Sequence, residues 1–158
     1  MSYVQKILQP DEQLIYRASI HWIVYLRAAV MLVLGCAVLG WFYVERPPAG
    51  YTFYTMMVLG IGGLLVVGAL FEAIRALIER HGTELAITSR RVIAKTGFIQ
   101  RHTWEINTAK VEGVEVSQSV MGRILDYGTV TVKGTGGGTA PIRNIREPVV
   151  FRSHVTSL

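Results

Sequence analysis

The sequence contains little from which a catalytic or metal centre could be built. Its single cysteine, Cys36, excludes an internal disulfide framework and a cluster of cysteine ligands around a metal ion. The four histidines are scattered, and no two of them have a spacing typical of metal ligands. His102 and Glu105 would point to opposite faces of one strand, which makes them a poor acid–base pair. The sequence therefore predicts a protein that is not an enzyme and that has no metal site, catalytic residue or cofactor.

Charged residues are absent from two long apolar stretches, Ala28–Val44 and Tyr51–Phe71. As a helix, the second stretch alone would be about 30 Å long, which is the thickness of the hydrocarbon core of a bilayer. The sequence predicts a transmembrane helical hairpin over residues 21–81, with helices at about 22–44 and 51–80. Because neither helix has a charged residue in its core, a channel or a transporter is a weaker interpretation.

Residues typical of the membrane–water interface lie near the ends of these helices. Trp22 and Trp41 would contribute to aromatic belts at the two interfaces. Arg27 and Arg75 would extend their charged groups outward from the ends of the apolar stretches, so all four residues are predicted to be interface anchors. The segment 45–50 contains two prolines, which cannot continue the first helix, and it is predicted to be the hairpin loop.

The basic residues indicate how the hairpin is oriented. Only Arg46 lies in the predicted hairpin loop, whereas several basic residues flank the other ends of the two helices. Because cytoplasmic flanks carry the excess of Lys and Arg, both termini are expected in the cytoplasm. The flanking basic residues are Lys6, Arg17, Arg27, Arg75, Arg80, Arg90, Arg91 and Lys95.

After Gly82 the apolar residues change from helical spacing to alternation. Short runs separated by glycines are typical of an antiparallel β barrel or sandwich. A helical turn is expected over 119–125, and Glu147 with the proline after it marks the start of a short C-terminal helix over 147–156. The glycine-rich segment 134–138 predicts a hairpin rather than a phosphate-binding loop, because no helix follows it. The runs predicted as strands are 83–88, 92–95, 98–103, 104–107, 113–117 and 127–133.

Four strings of the sequence resemble one known family. They are LQPDEQLIYRASIHW before the helices, and TELAITSRRVIAKTGFIQRHTWEI, KVEGVEVSQSVMGRILDYGTVTVKGTGG and IREPVVF after them. Together with the two apolar stretches they resemble the bacterial pleckstrin-homology-like membrane proteins, formerly grouped as a domain of unknown function. The resemblance covers nearly the whole chain. It implies a β-roll of two packed antiparallel sheets capped by a C-terminal helix, but it implies no reaction and no ligand site, because fold alone does not fix function.

The predicted fold class is therefore α+β: a two-helix transmembrane hairpin followed by a pleckstrin-homology-like antiparallel β-roll with a short C-terminal helix. Residues 1–20 are expected to be a cytoplasmic N-terminal segment, 21–81 the hairpin and 82–158 the cytoplasmic β domain. The sequence leaves open whether the N-terminal segment packs on the β domain or lies on the bilayer.

The basic residues after Gly82 are the strongest indication of function. Arg90 and Arg91 fall in a predicted tight turn and Lys95 at the next bend, and together with Arg101 they are predicted to face anionic lipid. Each basic side chain near an anionic leaflet contributes about 1 kcal/mol. Nucleic acid is not an expected partner, because no basic cluster is interleaved with aromatic residues.

The sequence thus predicts a non-catalytic binding or scaffolding module in the bacterial inner membrane. Its β domain would contact anionic lipid head groups, or a membrane protein partner, at the cytoplasmic face. Two alternatives stay open, namely a homo-oligomeric structural assembly and an accessory subunit of a membrane complex. A small β domain and glycine-bearing helices are compatible with self-assembly.

Overall fold

The computed structural model describes residues 4, 7–45, 52–98, 100–135 and 139–157, with the backbone alone at 139 and 140. The predicted hairpin loop lies almost entirely outside these residues. The chain divides into two units. The helical unit comprises residues 22–77, and the β unit combines the residues up to 21 with those from 78 onward.

The helical unit contains the two helices that the sequence predicts. A short 3-10 turn, Trp22–Tyr25, precedes helix α1, Leu26–Glu45, and helix α2 covers Thr52–Gly82. Both are long and apolar enough to cross a membrane, with a mean hydropathy of 2.2 in their most apolar stretches. Only 11% of each stretch is buried within the protein, so the apolar side chains point mainly outward.

Small residues line the contact between α1 and α2. Gly35 is packed so closely that an added Cβ would lie 2.9 Å from Val66 Cγ2 and 3.2 Å from the carbonyl oxygen of Gly62. Buried alanines continue this contact along both helices. Small residues at seven-residue spacing allow two antiparallel helices to approach closely along one seam. The residues of this seam are Ala28, Gly35, Gly62, Ala69 and Ala76.

Replacing Gly35 by leucine should force the helices apart. The new side chain would meet Val66 and the backbone of Gly62, and overpacking of this kind costs about 1–3 kcal/mol. Gly63→Leu is the matched control, because an added Cβ there meets no atom within 4 Å. Thermal unfolding of the two purified variants in detergent micelles measures the difference. Equal stability of the two variants would contradict close packing of α1 against α2 at Gly35.

The described residues of the β unit form seven antiparallel strands in two sheets. Sheet 1 has the order β1-β2-β3-β4 and sheet 2 the order β5-β6-β7. Helix α3, Val120–Ile124, connects β5 to β6, and helix α4, Pro148–Thr156, follows β7. The strands are β1 Leu14–Ala18, β2 Glu84–Thr88, β3 Arg91–Thr96, β4 His102–Asn107, β5 Val111–Ser117, β6 Tyr127–Gly134 and β7 Thr139–Arg146.

The predicted α+β layout with antiparallel sheets and a short C-terminal helix is confirmed. One predicted strand, 98–103, is wrong, because β4 begins only at His102. Gly97 opens the preceding loop with φ at +88°, a conformation that favours glycine. An added Cβ on Gly97 would also lie only 1.9 Å from the carbonyl oxygen of Gln100, so the loop turns back on itself there.

The N-terminal segment belongs to the β unit. Strand β1 precedes the helices in sequence but pairs antiparallel with β2, which follows them, so the whole helical segment is inserted between two neighbouring strands. Beyond β1, Ile20 forms a bridge with Ile145, and the Arg146 N–H donates to the Ser19 carbonyl at 2.9 Å. These contacts connect sheet 1 to sheet 2.

The two central strands of sheet 1, β2 and β3, are buried on both faces. On the inner face, Leu85, Ile87 and Val92 are fully buried, and Tyr16 meets Phe151 of α4 edge to face at 6.2 Å between ring centroids. On the outer face, Ala86 and Ile93 form a cluster with Val4, and Ile7 and Leu8 pack against it. The N-terminal segment therefore covers the side of sheet 1 that the rest of the β unit leaves open.

Candidate functional site

Arg91, predicted to face lipid, instead holds the N-terminal segment on sheet 1. Its Nε donates to Glu12 Oε1 at 3.0 Å and its Nη2 to Glu12 Oε2 at 2.8 Å, while Nη1 donates to Glu105 Oε2 at 2.9 Å. Thr88 Oγ1 also donates to Glu12 Oε1, at 2.6 Å. The Glu12 side chain is only 1% exposed. A bidentate Arg–carboxylate pair of this geometry is directional and strong.

The charged states of Glu12 and Arg91 follow from this pairing. Burial alone raises the pKa of Glu12, but the hydrogen bonds from Arg91, Thr88 and the Gln9 N–H outweigh it and lower the pKa below its usual value. The hydrogen bond to Glu12 raises the pKa of Arg91. Both groups are therefore ionised in the folded protein at neutral pH.

Lys95 is also enclosed. It is buried on the outer face of sheet 1, where it lies directly opposite Glu84 in the pairing of β2 with β3. Glu84 accepts a hydrogen bond from the Val4 N–H at 3.3 Å, and its Oε1 is 3.8 Å from Arg17 Nη2. Opposite charges facing each other across a strand pair stabilise the sheet. The position of Lys95 therefore supports a structural role.

Arg90 and Arg101 are exposed, but they lie at opposite ends of β3. Arg90 is in the turn between β2 and β3, with its side chain 54% exposed and its Nη2 4.0 Å from Asp11 Oδ2. Arg101 is in the loop between β3 and β4. Strand β3 separates the two by roughly 20 Å, at about 3.3 Å per residue. The structure thus does not bring the four predicted lipid-facing residues onto one surface.

The predicted interface anchors all have exposed side chains in the helical unit: Trp22, Arg27, Trp41 and Arg75. Arg27 lines an open groove of about 440 Å³ together with Glu72 and the apolar residues Leu26, Val30 and Met31. The groove places one basic and one acidic residue side by side at the flank of the helix pair. The sequence contains no local sign of this arrangement, and the role of these residues as anchors stays a prediction.

His21, which directly precedes the helical unit, and Glu79, near the end of α2, both form hydrogen bonds with Asn144. Its carbonyl accepts from the His21 N–H at 2.7 Å, and its Nδ2 donates to Glu79 Oε1 at 3.2 Å. Asn144 lies in a bulge of β7 and has φ at +57°, a left-handed conformation that asparagine tolerates better than most residues. We call the end of the β unit that carries His21, Glu79 and Asn144 the junction end.

His21 is buried at the junction end rather than exposed at an interface. Its ring stacks on Tyr127 with 5.3 Å between the centroids. Burial, reinforced by the positive charge of Arg146, lowers the pKa of His21, although Asp126 and a hydrogen bond to the Leu125 backbone act in the opposite direction. The neutral imidazole is therefore the form that the folded β unit favours.

The stability of the β unit should consequently depend on pH. Because the pKa of His21 is lower in the folded state than in the unfolded state, the unfolded chain binds more protons between the two values. Stability is then complete above the unfolded pKa, about 6.5, and falls as the pH drops through that value towards the lower folded pKa. Denaturant unfolding in that range should show this slope in the wild-type protein and in His102→Phe, which changes an exposed histidine, but not in His21→Phe. If the stability of His21→Phe still fell with decreasing pH, another titratable group would be responsible for the pH dependence.

Helix α3 lies at the junction end and exposes apolar side chains. Gly122 packs against Tyr127 so tightly that an added Cβ would lie 2.6 Å from the Tyr127 carbonyl oxygen. With this side of the helix held inward, Val120, Met121 and Ile124 point into solvent. The β3–β4 loop is at the same end, because an added Cβ on Gly82 would lie 3.1 Å from the backbone of Gly97 and Phe98. We call Phe98, Val120, Met121 and Ile124 the apolar platform.

A second open groove lies near the far end of β4. It has a volume of about 400 Å³ and is bordered by Trp104, Ile106, Lys110 and Thr135, among others. Its carboxylate, Glu105, is already bound to Arg91. Within the described part of the chain, no group of three or more His, Cys, Asp or Glu residues is placed to hold a metal ion. The acidic side chain of this groove is thus already part of the ion-pair network around Arg91.

Two antiparallel sheets followed by a C-terminal helix are the layout of a binding module of the pleckstrin-homology type. The model of the bacterial PH domain matches residues 18–158, and the chain belongs to that family. The match includes both long helices as well as the strands from β2 onward. No curated protein and no solved structure matches the chain.

Proposed function

We propose that this protein is a non-catalytic binding or scaffolding module that α1 and α2 anchor in the bacterial inner membrane. The observation that carries the proposal is the outward face of the two helices, which is almost wholly apolar and exposed around the seam of small residues. Apolar surface gains about 25 cal/mol per Å² when it leaves water, and a contiguous patch of this size is rare on soluble proteins. A bilayer covers it without any other partner.

The β unit would then work at the cytoplasmic face, where we propose that it contacts anionic lipid head groups or a membrane protein partner. Two chain connections tether it, one before α1 and one after α2. Tethering raises the effective concentration of the β unit near the leaflet, so weak contacts suffice. Of the four arginines and lysines predicted to face lipid, Arg101 is the exposed one at the junction end.

Anchoring is tested by alkaline carbonate extraction of membranes that contain the full chain, combined with protease digestion of tags at the two termini. We expect the protein to stay in the membrane pellet and both tags to be cleaved from the cytoplasmic side only. Release into the supernatant would contradict anchoring by α1 and α2. Tags cleaved from opposite sides would contradict the double crossing.

Head-group contact is tested by the phospholipid that co-purifies with the protein after mild detergent extraction. Arg101→Glu should lower the ratio of anionic to zwitterionic lipid, because it reverses a charge at the junction end. Arg90→Glu reverses another exposed charge, at the opposite end, and should leave the ratio unchanged. An equal effect of both variants would show that the ratio reports net charge rather than a contact surface.

Self-assembly is the second candidate function. Among the described residues, β4 pairs only with β3 and β5 only with β6, so each presents an unpaired edge. Unpaired strand edges readily accept a strand from another chain. Light scattering of the detergent-solubilised protein decides the matter, because a protein mass well above 17.5 kDa would indicate an oligomer and a mass near that value a monomer.

A further inference from the structure

The four side chains of the apolar platform are more exposed than the other large apolar side chains of the β unit. Val120 is 76% exposed, Ile124 70%, Phe98 59% and Met121 55%. By contrast, the strands β2 and β3 have every central apolar side chain buried. A cluster of large exposed apolar residues on an otherwise well-covered domain marks a surface that meets an apolar partner.

Local hydrogen bonds explain why the apolar side chains of α3 are exposed. Ser119 caps the helix by accepting a hydrogen bond from the Gly122 N–H at 3.0 Å. Gln118 Nε2 donates to the carbonyls of Gly122 and Tyr127, each at 3.2 Å. These bonds hold the polar side of α3 against β6. The three apolar side chains of α3 are therefore presented outward by a fixed element rather than by a loose loop.

The apolar platform lies at the end of the β unit that connects to α1 and α2. Tyr127, against which α3 packs, stacks on His21, and the chain enters the helical segment directly after His21. Phe98 lies beside Gly82, where α2 ends. Both parts of the platform thus lie at the end of the β unit from which the chain continues into α1 and α2. If α1 and α2 are anchored as proposed, continuity of the chain brings this end of the β unit to the lipid bilayer.

Two basic residues flank the apolar platform. Arg101 follows Phe98 in the β3–β4 loop, and Arg123 lies within α3 between Met121 and Ile124. Both side chains are exposed, and within the described part of the chain neither forms an ion pair within 4 Å. Apolar side chains bordered by guanidinium groups match the lipid interface, where acyl chains lie just beneath phosphates. Asp126 is the exposed acidic residue of the same segment.

We infer that the junction end docks on the cytoplasmic leaflet by inserting the apolar platform into the bilayer interface, with Arg101 and Arg123 at the level of the lipid phosphates. The inference rests on the proposed anchoring by α1 and α2. It adds that the β unit is held in one orientation, with the Arg90 end directed away from the membrane. The occupant of the platform is phospholipid rather than a second copy of the chain.

The experiment uses the full chain reconstituted in phospholipid vesicles, with one cysteine that carries an environment-sensitive fluorophore. Cys36 is exposed in α1 and is first replaced by alanine. The fluorophore is placed at Ile124 or, as the matched control, at Leu14. Leu14 is also an exposed apolar residue, but it pairs with Thr88 at the opposite end of the β unit. Carbonate extraction of the same vesicles reports separately whether the protein is anchored.

At Ile124 we expect a blue-shifted emission that nitroxide on the lipid chains quenches strongly and aqueous iodide quenches weakly. At Leu14 we expect emission without a blue shift, which aqueous iodide quenches strongly and nitroxide on the lipid chains quenches weakly. Val120→Asp should weaken lipid quenching at Ile124, whereas Leu14→Asp should leave it unchanged. The apolar part of the contact should persist at high salt, whereas charge reversal at Arg123 should matter most at low salt.

Two results would overturn docking while leaving the anchoring intact. One is an Ile124 label as accessible to iodide as the Leu14 label in protein that resists carbonate extraction. The other is a blue-shifted Ile124 label that lipid nitroxide does not quench, which would place a second copy of the chain on the apolar platform. Release of the protein by carbonate would overturn the anchoring and the docking together.

Discussion

A fragment that begins at Gly82 should fail to fold, although it contains six of the seven strands. It lacks β1, which pairs with β2, and it lacks the cover that Val4 provides over Ala86 and Ile93. Burying each large apolar side chain contributes about 1.5–3 kcal/mol, and the missing residues include Val4 and Ile20. With the lost strand hydrogen bonds, the deficit approaches the total stability of a small domain, about 5–15 kcal/mol.

The matched positive control joins residues 1–21 directly to residues 78–158 through a short glycine–serine linker. The linker can be short because His21 and Glu79 both contact Asn144. We expect circular dichroism and thermal melting to show a cooperative β domain for the joined chain and an unfolded fragment from Gly82 onward. A cooperative melt of the Gly82 fragment would show that the N-terminal segment is dispensable for the fold.

The substitution Arg91→Ala should destabilise the protein by about 3 kcal/mol. It would leave the Glu12 carboxylate buried without its main partner, and breaking a buried ion pair in this way typically costs about 3–5 kcal/mol. We place the effect at the low end because the Arg91 side chain is 21% exposed and water can reach part of the site. Denaturant unfolding of the full chain in micelles measures the loss.

Two further variants separate the role of Arg91 from a simple loss of positive charge. Arg90→Ala removes the neighbouring exposed arginine and should change stability by well under 1 kcal/mol. The double variant Glu12→Leu/Arg91→Met replaces both partners by apolar residues and should recover part of the loss, because no buried charge remains unpaired. If Arg91→Ala left stability unchanged and instead lowered the retention of anionic lipid, the sequence-based assignment of Arg91 to a lipid contact would be correct.

The helices could be predicted from sequence because their signal is local. The absence of charge over about 20 consecutive residues is sufficient to define an apolar helix of membrane length. The strands β2, β3 and β6 were also predicted from alternation and flanking glycines. Strand β1, Leu14–Ala18, could not be placed, because its partner β2 lies beyond both helices and no local pattern indicates such a distant pairing.

The candidate site was harder to predict for the same reason. In the sequence, Arg91 and Lys95 look like exposed basic residues. In the fold, Glu12 of the N-terminal segment pairs with Arg91, and Glu84 of β2 lies opposite Lys95. His21 directly precedes Trp22, a predicted interface anchor, whereas its own ring is buried against Tyr127. The sequence of residues 119–125 predicted only a helical turn between strands. The outward direction of Val120 and Ile124 depends on the packing of Gly122, which follows from tertiary contacts.

The insertion of the helices between β1 and β2 has a consequence for how the chain is made. During synthesis, β1 is complete long before β2 leaves the ribosome. On the proposed anchoring, β1 would have to wait unpaired while both helices enter the membrane. If only one helix crossed the bilayer, β1 and β2 would be on opposite sides and sheet 1 could not form. On that proposal, sheet 1 would close only after both helices had crossed the bilayer. A misinserted chain would keep an open strand edge, a feature that quality-control proteases and chaperones can recognise.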